Sequence, residues 1–187
     1  MIILASASPR RKQLLREKGV RLRVVPSHAD ESTALKKPSA IVRQLALRKA
    51  LEVAARHPDL PVLGADTIVV CKGKILGKPD TKKHALELLE LENGSWQKVY
   101  TGVAVVWLAK NKRLVAHAVS ACKARRLSRE QLLRYAGQHM DKAGAYAVQD
   151  KSDPFIEKIK GPFDNVMGLP CALTLKLLRK AGASKLL

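Results

Sequence analysis

The chain has 187 residues, 47% apolar and 27% charged, which excludes intrinsic disorder and fits one domain with a substantial core. Its 35 lysines and arginines against 16 acidic residues give a net charge of +19, a field suited to nucleic acid, phosphorylated metabolites or anionic membrane surfaces. An aromatic content of 4% disfavours a stacking platform for single strands, and no run approaches the roughly 20 apolar residues of a membrane span.

Residues 1–5 form a short apolar run with no charged region before it, too short for a secretory signal, so a cytoplasmic protein is expected. Pro9 then opens RRKQLLREKG, whose Leu14 and Leu15 have helical spacing and whose Gly19 is a stop. VRLRVVPS alternates as a strand, and HADESTALKKPS is a polar loop carrying Asp30 and Glu31. A helix is predicted over 40–56 with Ile41, Leu45 and Leu51 near one face, followed by the strand PVLGADTIVV at 61–70. GKILGKP reads as a hairpin edge and turn, and the helix after it takes Asp80 or Thr81 as cap and Gly94 as stop.

VYTGVAVVWLA and RLVAHAVSACKAR, separated by KNK, are predicted to be an antiparallel pair. SREQLLRYAG opens on a capping box of Ser128 and Gln131, and a final helix begins at Pro170. Helices alternate with strands while some strands pair through hairpins. The expected fold is therefore α/β, with a mixed sheet flanked by helices, and one domain of two lobes spans 1–187.

The first junction, ASASPRRK, raises a chemical question. A strand-to-helix turn presents free backbone N–H groups and the positive end of a helix dipole, and cations there are unfavourable. Arg10 and Arg11 nevertheless stand there beside Ser6 and Ser8, which suggests a phosphate ligand rather than a helix cap alone. Asp66 interrupts an apolar strand, where a carboxylate is costly unless paired, bonded or bound to a cation. With Glu31 it offers the oxygen ligands that Mg2+ prefers in company with substrate phosphates.

Lys49 and Lys78 are either phosphate ligands or ordinary surface lysines. GKILGK is not a P-loop, because only three residues separate its glycines and Pro79 follows the lysine. His28, His57, His84, His117 and His139 show no paired metal spacing, and Cys71, Cys122 and Cys171 read as reduced, buried thiols.

Several of these segments together resemble the Maf family of septum-formation-inhibitor-like nucleoside triphosphate pyrophosphatases. LASASPRRKQLL, ADES, LALRKA, VLGADTIVV, LGKP, YTGVAV, DKAGAYAVQ and GPFDNVMGLP match its motifs in order. The resemblance implies an elongated mixed β-sheet with a cleft between two lobes, as in Maf and ITPase-like proteins. It implies hydrolysis of a nucleoside triphosphate to the monophosphate and pyrophosphate with a divalent metal, Mg2+ or Mn2+, in a homodimer; house-cleaning of damaged or modified nucleotides is a further reading that shares this chemistry and differs in the pocket.

By matching positions, Asp66 is the implied proton acceptor, and Glu31 and Asp66 hold the metal. Ser6, Arg11, Lys49 and Lys78 bind phosphates, while Arg10, Thr67 and Gln149 bear on base selectivity. SPRR combined with AVQ at 147–149 is similar to the branch acting on dTTP and UTP. Asp150 replaces the family's usual glycine, and the segment 119–126 lacks its usual Thr and Phe.

The alternative from another class is a basic nucleotide- or nucleic-acid-binding module without catalysis. Glu31 and Asp66 favour the enzyme, since a pure binder of polyanions gains nothing from carboxylates facing phosphate. The charge of +19 keeps nucleic acid as a secondary partner, beside the nucleoside triphosphate itself.

Overall fold

A computed structural model describes residues 1–140, 142–146 and 155–184. Seven strands form one mixed sheet: β1 (Ile2–Leu4), β2 (Leu22–Val24), β3 (Val62–Cys71), β4 (Lys74–Leu76), β5 (Trp96–Trp107), β6 (Lys112–Ala124) and β7 (Ile156–Lys160). The order is β2-β1-β3-β5-β6-β7, with β4 also pairing β3. β1 runs parallel to β2 and β3, whereas β3, β5, β6 and β7 are successively antiparallel. The expected mixed α/β sheet is what the chain forms.

β3 is the hinge of the architecture. On one side it pairs with β5 along its full length, Val62 opposite Val106 and Cys71 opposite Gln97. On its other side β1 takes only Val62 and Leu63, and β4 takes Val69 to Cys71. Between them the strand edge is unpaired, and this gap separates the two lobes.

Side chains alternate across the sheet, so the odd and even positions of β3 and β5 face opposite layers. The odd face of the first lobe packs Leu63, Ala65, Val103 and Val105 against α1 (Pro9–Glu17) and α6 (Cys171–Lys180). In the second lobe Val69, Cys71 and Val99 pack under α3 (Lys82–Glu92). Next to it lie α4 (Arg129–Tyr135) and the buried ring of Phe155. The even face is covered by α2 (Pro38–Arg56) alone, through Ala46, Ala50 and Val53 against Val62, Ala104 and Val106.

α2 lies unusually close to the sheet. A Cβ built on Gly64 would stand 2.2 Å from the Ala46 carbonyl oxygen, and one on Gly102 would stand 2.0 Å from that of Val42. Only glycine admits the helix backbone at that distance.

The boundaries differ from the sequence reading in a few places. α2 starts at Pro38, two residues early, because proline suits the first helical turn. β5 starts at Trp96 rather than 99, since pairing with β3 carries it through the polar residues Gln97 and Lys98. Ser8 caps α1, Thr81 caps α3, and the Ser128–Gln131 capping box is formed as expected. Among the described residues no helix is long and apolar enough to cross a membrane.

Candidate active site

The unpaired edge of β3 opens onto a cleft of about 920 Å3. Asp66 and Thr67 lie in that gap, and as neighbours on a strand they point to opposite faces of the sheet. The site is thus built in two halves, one from each layer.

On the α2 side, Asp66 is 7% exposed and would be a costly buried charge alone. Lys49 reaches down from α2 and donates from Nζ to Asp66 Oδ1 at 2.6 Å and to Glu31 Oε1 at 2.8 Å. The ammonium therefore sits between the two carboxylates and compensates both. Glu31, in the loop before α2, remains largely solvent-exposed, so this half is open to the cleft.

On the opposite side, Arg11 leaves the first turn of α1 and makes three hydrogen bonds. Its Nε donates to the Gly168 carbonyl at 2.9 Å, Nη1 to Ser6 Oγ at 3.0 Å and Nη2 to Thr67 Oγ1 at 3.1 Å. Burial lowers the proton affinity of this guanidinium, against the opposing pull of Asp66. Thr101 Oγ1 donates to the Asn165 carbonyl at 3.0 Å, so its single proton is used. Thr67 Oγ1 accepts from Arg11 and stands 3.1 Å from Thr101 Oγ1 and 3.5 Å from the Gly168 carbonyl oxygen, either of which can take its proton.

A chain of bonds thus runs from Arg11 through Thr67 and Thr101 to the short helix α5 (Phe163–Val166). Asn165, fully buried, anchors that helix by donating to the Val99 carbonyl and to Ser120 Oγ. Ser6 also accepts from the Ser8 amide at 3.3 Å, which folds the turn before α1 into a compact loop. The arginines that looked misplaced at a helix start are accounted for at Arg11 by Ser6 in the same turn and by two acceptors, Thr67 and Gly168, brought from distant segments.

The family model described as Maf-like protein matches residues 1–181. This chain belongs to the Maf family. Among curated Maf relatives, the dTTP/UTP pyrophosphatase of Elusimicrobium minutum is 50% identical over 181 residues, covering 97% of this chain and 98% of that protein. The dTTP/UTP pyrophosphatase of Moorella thermoacetica is 44% identical over 180 residues, covering 95% and 93%. Among solved structures, the Staphylococcus aureus Ham1 protein aligns with 66% of this chain and 71% of its own at a TM-score of 0.43 and 12% identity, too slight a likeness to carry an argument.

Of the residues that the Maf resemblance singled out, Ser6, Arg10, Arg11, Glu31, Lys49, Asp66, Thr67 and Lys78 all line the one cleft. Arg10 is half-buried at its rim and Lys78 exposed at its mouth. Gln149 and Asp150 lie outside the described residues. Sequence reasoning did not single out Thr101, Asn165 or Gly168. Their signal was present in YTG and NVMG, but their partners lie 34 to 157 residues away and only the fold joins them.

Proposed function

We propose that this chain hydrolyses dTTP and UTP between the α and β phosphates, releasing the monophosphate and pyrophosphate. The observation that carries the reading is the Lys49 ammonium held between Glu31 and Asp66, across the β3 edge from Arg11, Ser6 and Thr67. Basic groups alone would only bind a triphosphate; a buried carboxylate among them supplies a base. The names and near-complete coverage of the Maf relatives support the substrate assignment.

In this reading Arg11, Lys49 and Lys78 take the triphosphate oxygens, and their charges oppose the negative charge that grows on the phosphoryl group. Water attacks the α-phosphorus, the bond from that phosphorus to the bridging oxygen breaks, and pyrophosphate leaves. Asp66 takes the water's proton: its Oδ1 is held by Lys49, which leaves Oδ2 for the nucleophile. In the same reading Arg10, which lines the cleft, contacts the base.

A divalent cation fits the donor set. Two carboxylates held near one ammonium are too few for an all-protein cage, but Mg2+ commonly takes one or two carboxylates and completes its shell with water and substrate phosphate. Glu31 and Asp66 would hold it, and when bound it supplies electrophilic activation of the phosphate.

The deciding experiment measures pyrophosphate release from dTTP, UTP, CTP, GTP and 7-methyl-GTP with Mg2+ or Mn2+. Pyrophosphate should appear fastest with dTTP and UTP. Release of orthophosphate instead, or silence across the panel from folded protein, would refute the proposal.

A further inference from the structure

The two faces of the sheet are not equally covered. Helices lie over the odd face in both lobes, whereas α2 covers the even face of the first lobe only. Beyond it, among the described residues, no helix covers the even face of β5, β6 and β7. Trp96 and Val119 are 43% and 39% exposed there, and Tyr100 is half-buried between them and the cleft.

Strand register places lysines beside these rings. Trp96 lies opposite Lys123, which lies opposite Lys158, and Lys98 and Lys160 flank Ala121 on either side. Lys160 Nζ stands 4.9 Å from the Trp96 ring centroid. Lys98, Lys158 and Lys160 are exposed, while Lys123 donates to the Gly94 carbonyl. β7 also carries Glu157, exposed where the register of β6 and β7 shifts.

We propose that this sheet face binds single-stranded nucleic acid, with bases stacked on Trp96 and Tyr100 and phosphates held by Lys98, Lys158 and Lys160. The proposal is separate from the pyrophosphatase reading, because these residues take no part in the phosphate cradle. Exposed rings interleaved with lysines suit a polymer that alternates planar bases with negative charges. A second copy of the chain would bring the same lysines face to face, and lipid headgroups offer the rings nothing to stack on. The low aromatic content of the chain is offset by placement, since two of its rings share one flat surface.

The test is fluorescence anisotropy of a labelled oligo-dT 20-mer titrated with the full chain. Binding is expected at about 50 mM NaCl and should weaken roughly twentyfold at about 200 mM, for about three phosphates neutralised on a single strand. Trp96→Ala should weaken it about tenfold, and Lys98→Glu with Lys160→Glu should abolish it. All three side chains are exposed, so both variants should melt like the parent and keep its turnover of dTTP.

No binding at low salt would overturn the proposal, as would affinity unchanged in both variants. Equal affinity for a duplex of the same length would reduce the effect to diffuse charge and also overturn it. So would vesicles of anionic phosphatidylglycerol binding where the oligonucleotide does not, or self-association that Trp96→Ala abolishes.

Discussion

Asp66 is the residue on which the site turns. Its neighbours demand burial and its carboxylate resists it; the Lys49 ammonium 2.6 Å away resolves the conflict. Asp66→Asn keeps the shape and removes the proposed base, so pyrophosphate release should fall by about a hundredfold to ten-thousandfold while the melting temperature stays within a few degrees. Turnover near that of the parent would remove Asp66 from the role of base.

Glu92 presents the opposite case. It is fully buried, and among the described residues neither carboxyl oxygen has a hydrogen-bond partner. Burial pushes the Glu92 carboxyl well above the ordinary 4.5. Between that value and its own, the folded chain keeps a proton that the unfolded chain has released, so stability falls as pH rises through the window. The slope from this one group is about 1.4 kcal/mol per pH unit. Glu92→Gln should therefore melt higher than the parent at pH 8, and the difference should shrink toward pH 4.5; a difference independent of pH would show that Glu92 ionises freely in the fold.

Asp66 was legible in the sequence because its apolar flanks made it conspicuous. Glu92 was not, because EN before a glycine at a helix end reads as an ordinary polar terminus. Its burial is decided by Gly144 and Tyr146, which arrive from elsewhere in the chain.

At the scale of elements, the closeness of α2 to β3 sets the reach of Lys49. Gly64→Ala would drive a Cβ into the Ala46 carbonyl and force the helix outward. Overpacking of this kind costs about 1–3 kcal/mol, and a shift of about 1 Å in a catalytic group can cost a hundredfold in rate. The variant should thus lose activity well beyond its loss of stability, measured by turnover beside thermal melting. Equal, small losses in both would mean that α2 does not set the geometry.

The elements themselves were largely legible, since hydrophobic periodicity marks α2 and β3 clearly and Ser128 with Gln131 announces α4. The gap in β3 was not. Nothing in VLGADTIVV says that one edge is shared between two short strands with five unpaired residues between them, because pairing partners are a property of the whole sheet.

For the whole molecule, the net charge of +19 opposes compaction. Few ion pairs offset it: among the described residues Lys49–Asp66 is the only one with little exposed area on both sides, and the others are more exposed contacts of small worth. Screening should therefore stabilise this chain, and the melting temperature should climb as NaCl rises from about 20 to about 300 mM. A flat or falling curve would mean that attractive pairs outweigh the repulsion.

The Arg11 to Gly168 bond joins positions 157 residues apart. On the ribosome, the lysine and carboxylate half of the cleft needs β5, which pairs with β3 and packs on α2, but the arginine half must wait until residue 168 has emerged as well. A nascent or proteolytically shortened polypeptide lacking residue 168 holds Arg11 by Ser6 and Thr67 only, with the loop that braces it missing. Where Arg11 takes triphosphate oxygens, as proposed, its placement therefore depends on a segment synthesised long after it.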